Sequence, residues 1–70
     1  MSKQTEYSII GTRQNGEVLY YVSDATQGTR FVPNAYSLAY VWRKHDVAMR
    51  EVENMARQYR GLVVSLEPRQ

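Results

Sequence analysis

The sequence predicts an α+β fold, in which a small antiparallel sheet packs against one C-terminal helix and the chain ends in a strand. Two runs rich in β-branched and aromatic residues flank an Asn-Gly pair near the N-terminus, which predicts a β-hairpin. Apolar residues then recur at helical spacing in the second half of the chain, and a short apolar run follows them. With 70 residues, the chain is expected to form one domain over residues 1–70, with flexible tails at 1–5 and 67–70.

The N-terminal hairpin is expected from residues 6–13 and 18–23. An Asn-Gly pair between two such runs predicts a type I′ turn of two residues, because that turn needs positive φ at both central positions. The expected register pairs Arg13 with Val18, Gly11 with Tyr20, and Ile9 with Val22. The alternative is a bulge at Gly11 that changes this register.

This register divides the hairpin into two apolar faces. One face carries Tyr7, Ile9, Val18, Tyr20 and Val22, and the other carries Ile10, Leu19 and Tyr21. We expect the helix to cover the first face, because that face has more apolar residues and a single helix covers only one side of a sheet. The second face is then predicted to contact a partner or a second copy, unless residues 38–42 fold across it.

The middle of the chain is predicted to form a loop, a short strand and a second aromatic segment. Gly28 is expected at a position of positive φ, and residues 29–32 are expected to form a strand that Pro33 ends. Residues 38–42 fit either a strand or the start of a helix, and their aromatic and β-branched content favours the strand.

The C-terminal helix is expected over residues 47–60, with Asp46 as the N-cap and Gly61 as the C′ residue. Its apolar stripe comprises Ala48, Val52, Met55, Ala56 and Tyr59. Residues 62–66 are expected to form the final strand, followed by a polar tail.

Composition excludes several kinds of chemistry. The chain has no cysteine, so disulfides and thiolate metal sites are excluded, and His45 is the single histidine. There is no glycine-rich phosphate loop and no facing pair of carboxylates, and so short a chain is expected to offer little room for a pocket. We therefore predict that the protein is not an enzyme and has no catalytic residue, cofactor, metal or small-molecule substrate.

Hydropathy and charge argue against a membrane protein. The apolar runs are far shorter than the roughly 20 residues of a membrane-spanning helix. The polar N-terminus does not have the apolar stretch of a signal peptide. Together with the absence of cysteine, these features predict a cytoplasmic protein that does not contact a membrane.

A protein partner is the primary functional interpretation. The aromatic residues include six tyrosines, and seven of the nine basic residues are arginine, which are residue types that interfaces favour. The partner would be another protein or a second copy in a homodimer. The candidate partner-binding residues are Ile10, Leu19, Tyr21, Arg30, Tyr36, Arg43 and Lys44.

Nucleic-acid binding on the sheet is the alternative. Arginine contacts to phosphate and stacking of bases on Tyr36, Tyr40 and Trp42 would supply the binding energy. The two interpretations predict different surfaces. One face that gathers Arg13, Arg30, Arg43 and Lys44 would favour nucleic acid, whereas a bare face of Ile10, Leu19 and Tyr21 would favour a protein.

The order of elements resembles that of short orphan proteins from bacteriophages and bacterial mobile elements. The resemblance rests on a tyrosine-rich hairpin at residues 7–23, an aromatic segment at 40–42 and one helix at 46–60. It covers most of the chain but includes no specific motif, so it assigns no site residue. It implies roles such as inhibiting a host or defence protein, CRISPR nucleases among them, or assisting a DNA-handling complex.

Overall fold

The computed structural model describes residues 5–24 and 28–69, so most of the tail predicted at 1–5, the last residue of the tail predicted at 67–70 and residues 25–27 of the predicted loop lie outside it. The elements are β1 (Glu6–Thr12), β2 (Val18–Asp24), β3 (Gly28–Pro33), a 3₁₀ helix (Tyr36–Leu38), α1 (His45–Gln58) and β4 (Val63–Arg69). The four strands form an antiparallel sheet in the order β3-β2-β1-β4. The predicted fold class is therefore confirmed, as is the positive φ of Gly28.

The β1–β2 hairpin turns through three residues rather than two. The Gly16 backbone N–H donates to the Arg13 carbonyl at 2.9 Å. Gly16 has a φ of 92°, whereas Asn15 does not adopt a positive φ. This is the pattern of a type I turn followed by a left-handed glycine. Thr12 consequently pairs with Val18, so the predicted type I′ turn and its register are wrong by one residue.

The side chain of Asn15 stabilises this longer turn. Its Oδ1 accepts the Glu17 backbone N–H at 2.9 Å, a local contact that asparagine makes readily in turns. Arg13 and Glu17 close the loop through a backbone hydrogen bond of 2.8 Å and an Nε–Oε1 ion pair of 3.2 Å. The Asn-Gly pair thus marks the hairpin correctly, but only the glycine takes the left-handed conformation.

A shift of one residue exchanges the residues that share a face. The face beneath α1 carries residues that are at most 5% exposed, namely Ile9, Leu19 and Tyr21. Ile10 pairs with Tyr20 and lies on the opposite face, where Val18 is exposed. The prediction that Ile10, Leu19 and Tyr21 form a bare contact surface, with Val18 and Tyr20 beneath the helix, is therefore wrong.

The core lies between the sheet and α1. Its central residues are Ile9, Tyr21, Val52 and Met55, and they are surrounded by Phe31, Trp42, Tyr59, Val64 and Leu66. The buried positions of α1 follow the predicted stripe, except that Ala56 is exposed. The hairpin, the edge strand β3, the helix and β4 all contribute to this one cluster, so it depends on the whole order of elements.

Residues 39–42 cross the sheet where β1 and β2 separate. The two strands pair only near their turn. Farther along, the Tyr40 N–H donates to the Tyr21 carbonyl at 2.9 Å, and Tyr7 and Trp42 exchange two backbone hydrogen bonds of 2.8 Å. The chain passes here from one face of the sheet to the other. Of the two predicted alternatives, a strand or a helix start, neither is right: a 3₁₀ turn is followed by a single bridge at Trp42.

The 3₁₀ helix covers part of the face opposite α1. The Tyr36 ring stands edge-on to Tyr20 with 5.6 Å between ring centroids, and the Arg69 guanidinium lies 4.1 Å from the centroid of Tyr36. Arg69 Nη1 also donates to Ser8 Oγ at 2.6 Å and to the Tyr36 carbonyl at 3.1 Å. Ser8 is completely buried, and this hydrogen bond satisfies its hydroxyl.

Strand β4 continues to Arg69 instead of ending at Leu66. It pairs with β1 along its whole length. Pro68 is tolerated because its partner Tyr7 directs its own N–H and carbonyl toward Trp42, so this pair needs no hydrogen bond from the proline. The prediction that residues 67–69 belong to a flexible tail is therefore wrong.

Helix α1 begins at His45, two residues earlier than predicted. Lys44 is the N-cap, with φ −107° and ψ 116°, and its side chain makes no capping hydrogen bond. Asp46 lies in the first turn with a fully exposed carboxylate, so the prediction of an Asp46 N-cap is wrong. At the other end the C-cap is Tyr59, so Arg60 takes the C′ position and the prediction of Gly61 there is wrong by one residue.

We expect Lys44→Asp to raise the free energy of unfolding by about 1 kcal/mol, because aspartate at an N-cap accepts a backbone N–H of the first turn that otherwise has no partner. Lys44→Ala is the matched control, since it removes the same charge without adding an acceptor. Urea denaturation of the parent and both variants measures the difference. Equal midpoints for the two variants would contradict the assignment of Lys44 as the cap.

Candidate partner-binding site

The structure separates most of the predicted partner-binding residues. Leu19 and Tyr21 are buried on the α1 side of the sheet, and Ile10 and Tyr36 lie on the opposite side. Arg30 lines a cavity at one end of the sheet. Leu19 lines the same cavity as Arg30, and Arg43 and Lys44 lie together in a groove at the other end.

The four basic residues considered for nucleic acid form two pairs rather than one surface. Arg13 follows the last residue of β1 and lines a cavity together with Arg30. Arg43 lies beside Lys44, and its Nε is 3.6 Å from the carboxylate of Glu6, the first residue of β1. The length of β1 places the two pairs about 20 Å apart. A continuous basic face is therefore not formed.

A groove of about 290 Å³ lies where the crossing segment meets the start of α1. We call it the crossing groove; it is lined by Tyr40, Val41, Trp42, Arg43, Lys44 and Val47. The aliphatic and tyrosine side chains in it are 36–46% exposed. Apolar side chains and two cationic ones thus share one concave surface.

Backbone hydrogen bonds to two strands hold the crossing groove in place. Trp42 is bonded to Tyr7 in β1, and Tyr40 is bonded to Tyr21 in β2. The rings of Tyr40 and Trp42 lie 4.7 Å apart between centroids. Trp42 Nε1 is buried and has no acceptor among residues 5–24 and 28–69.

His45 lies next to this groove in an ordinary setting. Its ring stands edge-on to Tyr7 with 5.4 Å between centroids, and its Nδ1 is 3.9 Å from the Asp46 carboxylate. Within the described part of the chain, no three histidine or carboxylate side chains are placed to hold a metal ion. None of the helices described there is long and apolar enough to cross a membrane.

A second concave site lies at the other end of the sheet. This open cavity of about 430 Å³, which we call the arginine cavity, is lined by Arg13, Leu19, Arg30, Phe31, Tyr59, Gly61 and Leu62. Its volume is within the range of small-molecule sites, so the expectation that the chain has little room for a pocket is wrong. The cavity could not be seen in the sequence, because its walls come from the hairpin, β3 and the end of α1.

Two neighbouring tyrosines of β2 have raised pKa values. Burial raises the pKa of Tyr21, and a hydrogen bond with Thr29 opposes the rise. Burial is also the main cause of the raised pKa of Tyr20, assisted by the charge of Glu67 and opposed by Arg69. Both phenols are therefore neutral near pH 7, and they serve as packing and hydrogen-bonding groups.

Comparison of the chain with protein-family models, with curated proteins and with solved structures gave no match. The two concave sites are consequently interpreted from the chemistry of their own residues. The resemblance to small proteins of bacteriophages and mobile elements stays a prediction.

Proposed function

We propose that this protein is a non-catalytic binding module that contacts a protein partner through the crossing groove. The observation that carries the proposal is the cluster of exposed Tyr40, Val41 and Val47 beside Arg43 and Lys44. Single exposed apolar residues are common on any surface, but an apolar cluster with a polar rim is typical of interfaces. Tyrosine, tryptophan and arginine are also the residues that carry most binding energy in interfaces.

The helix start gives independent support. An N-cap is preferably serine, threonine, aspartate or asparagine, yet Lys44 occupies this position and makes no capping bond. Its positive charge also lies near the positive end of the helix dipole. A residue that does not follow the local sequence preference of its position, as Lys44 does not at the N-cap, is typical of a functional site.

These features define the chemistry of the partner. An apolar side chain of the partner would enter the groove against Tyr40 and Val47, and acidic residues around it would face Arg43 and Lys44. The apolar contact would supply most of the affinity, and the charges would increase the rate of association and the specificity. Inhibition of a host or defence protein, which the resemblance implies, is the role we propose for this contact.

The test is affinity capture from a lysate of the native cell, with the parent protein and three variants. Val47→Ser and Lys44→Asp are expected to weaken binding of the captured protein roughly tenfold or more, because each alters one kind of contact in the groove. Val63→Ser is the matched control, since Val63 is 72% exposed but lies outside both concave sites. It should capture the same protein as the parent, and circular dichroism should show that all variants are folded.

Other outcomes redirect or reject the proposal. If light scattering detects a dimer that Val47→Ser dissociates, the partner is a second copy of the chain. The nucleic-acid alternative would be favoured if nuclease treatment abolished capture. It would also require gel-shift assays to show sub-micromolar binding to nucleic acid that weakens steeply as the salt concentration rises. A captured protein that both groove variants retain would overturn the proposal.

A further inference from the structure

We infer that the arginine cavity binds a carboxylate group attached to an apolar body of about the size of a phenyl group. The cavity shares no residue with the crossing groove and lies at the opposite end of β1. The inference about this cavity therefore does not rest on the proposed protein contact, and each can be tested without the other.

The charge of the cavity selects an anion. Arg30 lines it and carries a positive charge. The planar guanidinium matches a carboxylate with two parallel hydrogen bonds. Arg13 adds a second cation, and its ion pair with Glu17 is exposed enough for the side chain to turn toward a ligand.

The rest of the wall selects an apolar body. Leu19 and Leu62 are aliphatic, and the rings of Phe31 and Tyr59 meet edge-on with 5.0 Å between centroids. An apolar ligand group would remove this surface from water, while the lower local polarity would strengthen its ion pair with arginine. Inorganic phosphate fits less well, because it would keep its water and leave the apolar wall uncovered.

A glycine in β1 allows two residues of the cavity wall to approach each other closely. A Cβ atom on Gly11 would lie 2.9 Å from Leu62 Cδ1 and 3.3 Å from the ring of Phe31. Since Gly11 has no side chain, Leu62 and Phe31 close over β1 from two sides. The cavity is therefore shaped by packed elements of the fold and does not depend on a single loop.

Two sources can supply this chemistry, namely a free organic acid and the C-terminal carboxylate of a peptide with an apolar last residue. Both are tested by nuclear magnetic resonance titration of the ¹⁵N-labelled chain. The probes are 3-phenylpropionate, its neutral amide, inorganic phosphate, and the peptide acetyl-Ala-Phe with a free or an amidated C-terminus. We expect 3-phenylpropionate to shift the amide signals of Leu19, Phe31 and Gly61, with a dissociation constant on the order of 1 mM or below.

The variants separate charge from packing. Arg30→Gln is expected to weaken binding of 3-phenylpropionate at least tenfold. Arg30→Lys should have an intermediate affinity, because lysine keeps the positive charge but cannot donate two parallel hydrogen bonds to one carboxylate. Arg57→Gln, on exposed helix surface outside both concave sites, is the matched control and should bind like the parent. If Arg30→Gln does not fold, Arg13→Gln provides the second test and should weaken binding several-fold.

Each result then decides the question. A free-ended peptide that binds more tightly than 3-phenylpropionate identifies a peptide C-terminus as the source, and the reverse order identifies a free acid. Equal binding of the acid and its amide, binding of phosphate as tight as that of 3-phenylpropionate, or no signal shifts at millimolar concentration would overturn the inference. Unchanged affinity in folded Arg30→Gln would do the same.

Discussion

Tyr21→Ser is expected to remove a large part of the free energy of unfolding of the domain. Tyr21 is 5% exposed, and its ring packs against Phe31, Tyr40 and Trp42 at centroid distances of 5.8, 6.5 and 6.2 Å. Replacing a buried aromatic side chain with a small one costs about 3–5 kcal/mol. This loss is comparable with the whole stability of a domain of this length, roughly 4–10 kcal/mol. Far-ultraviolet circular dichroism and urea titration measure it.

Tyr20→Ser is the matched control for that experiment. Tyr20 is the preceding residue of the same strand, but it lies on the opposite face, is only partly buried and meets Tyr36 edge-on. We expect a loss of about 1 kcal/mol and a transition that stays cooperative. A folded Tyr21→Ser beside an unfolded Tyr20→Ser would mean that the hairpin has the register of a two-residue turn.

Ile9→Ala is expected to lower the free energy of unfolding by about 2–5 kcal/mol. Ile9 is 0% exposed and lies at the centre of the core, so the substitution leaves a cavity that packed neighbours on both the sheet and the helix can fill only in part. Each kcal/mol lowers the melting temperature of a domain of this size by about 4–8 °C. Differential scanning calorimetry or a thermal melt followed by circular dichroism detects such a shift.

Ile10→Ala is the control, because it makes the same substitution at the next position of β1. Ile10 lies on the far face and is only partly buried, so we expect a loss of at most about 1 kcal/mol. The two variants remove the same atoms and differ mainly in the face from which they remove them. Equal losses would show that the two faces of the sheet are packed alike, contrary to the structure.

Part of the candidate site could be predicted from local sequence. Arg43 and Lys44 were predicted as contact residues, and they lie together because they are neighbours in the chain. Val47 was not singled out, although an exposed valine one turn after two basic residues is a signal that could have found it. The arginine cavity could not be found in this way, since Leu19 and Tyr59 are 40 positions apart in the sequence.

The register of the hairpin could not be predicted from the local sequence. An Asn-Gly pair suits both a two-residue turn and the last two positions of a three-residue loop, so the turn residues alone leave two registers open. Both faces of the hairpin carry apolar residues, so the alternation of polar and apolar residues that would decide between the registers is missing. Burial decides between the registers: Ile9 and Tyr21 pack against α1 and Leu19 is buried on the same side, while the 3₁₀ helix and Arg69 cover the side of Tyr20.

The sequence by itself determined the order of the four strands and the helix, because β-branched runs, turn residues and a helical stripe of apolar residues act over a few neighbouring positions. It left the number of strands open, since residues 38–42 also fitted a strand. Only the tertiary structure decided which face of the hairpin is buried, where residues 39–42 cross the sheet and which basic residues share a concave surface. Those outcomes depend on contacts such as Tyr7 with Trp42 and Ser8 with Arg69. Such pairs are far apart in the chain, and their energies exist only once the elements have packed against one another.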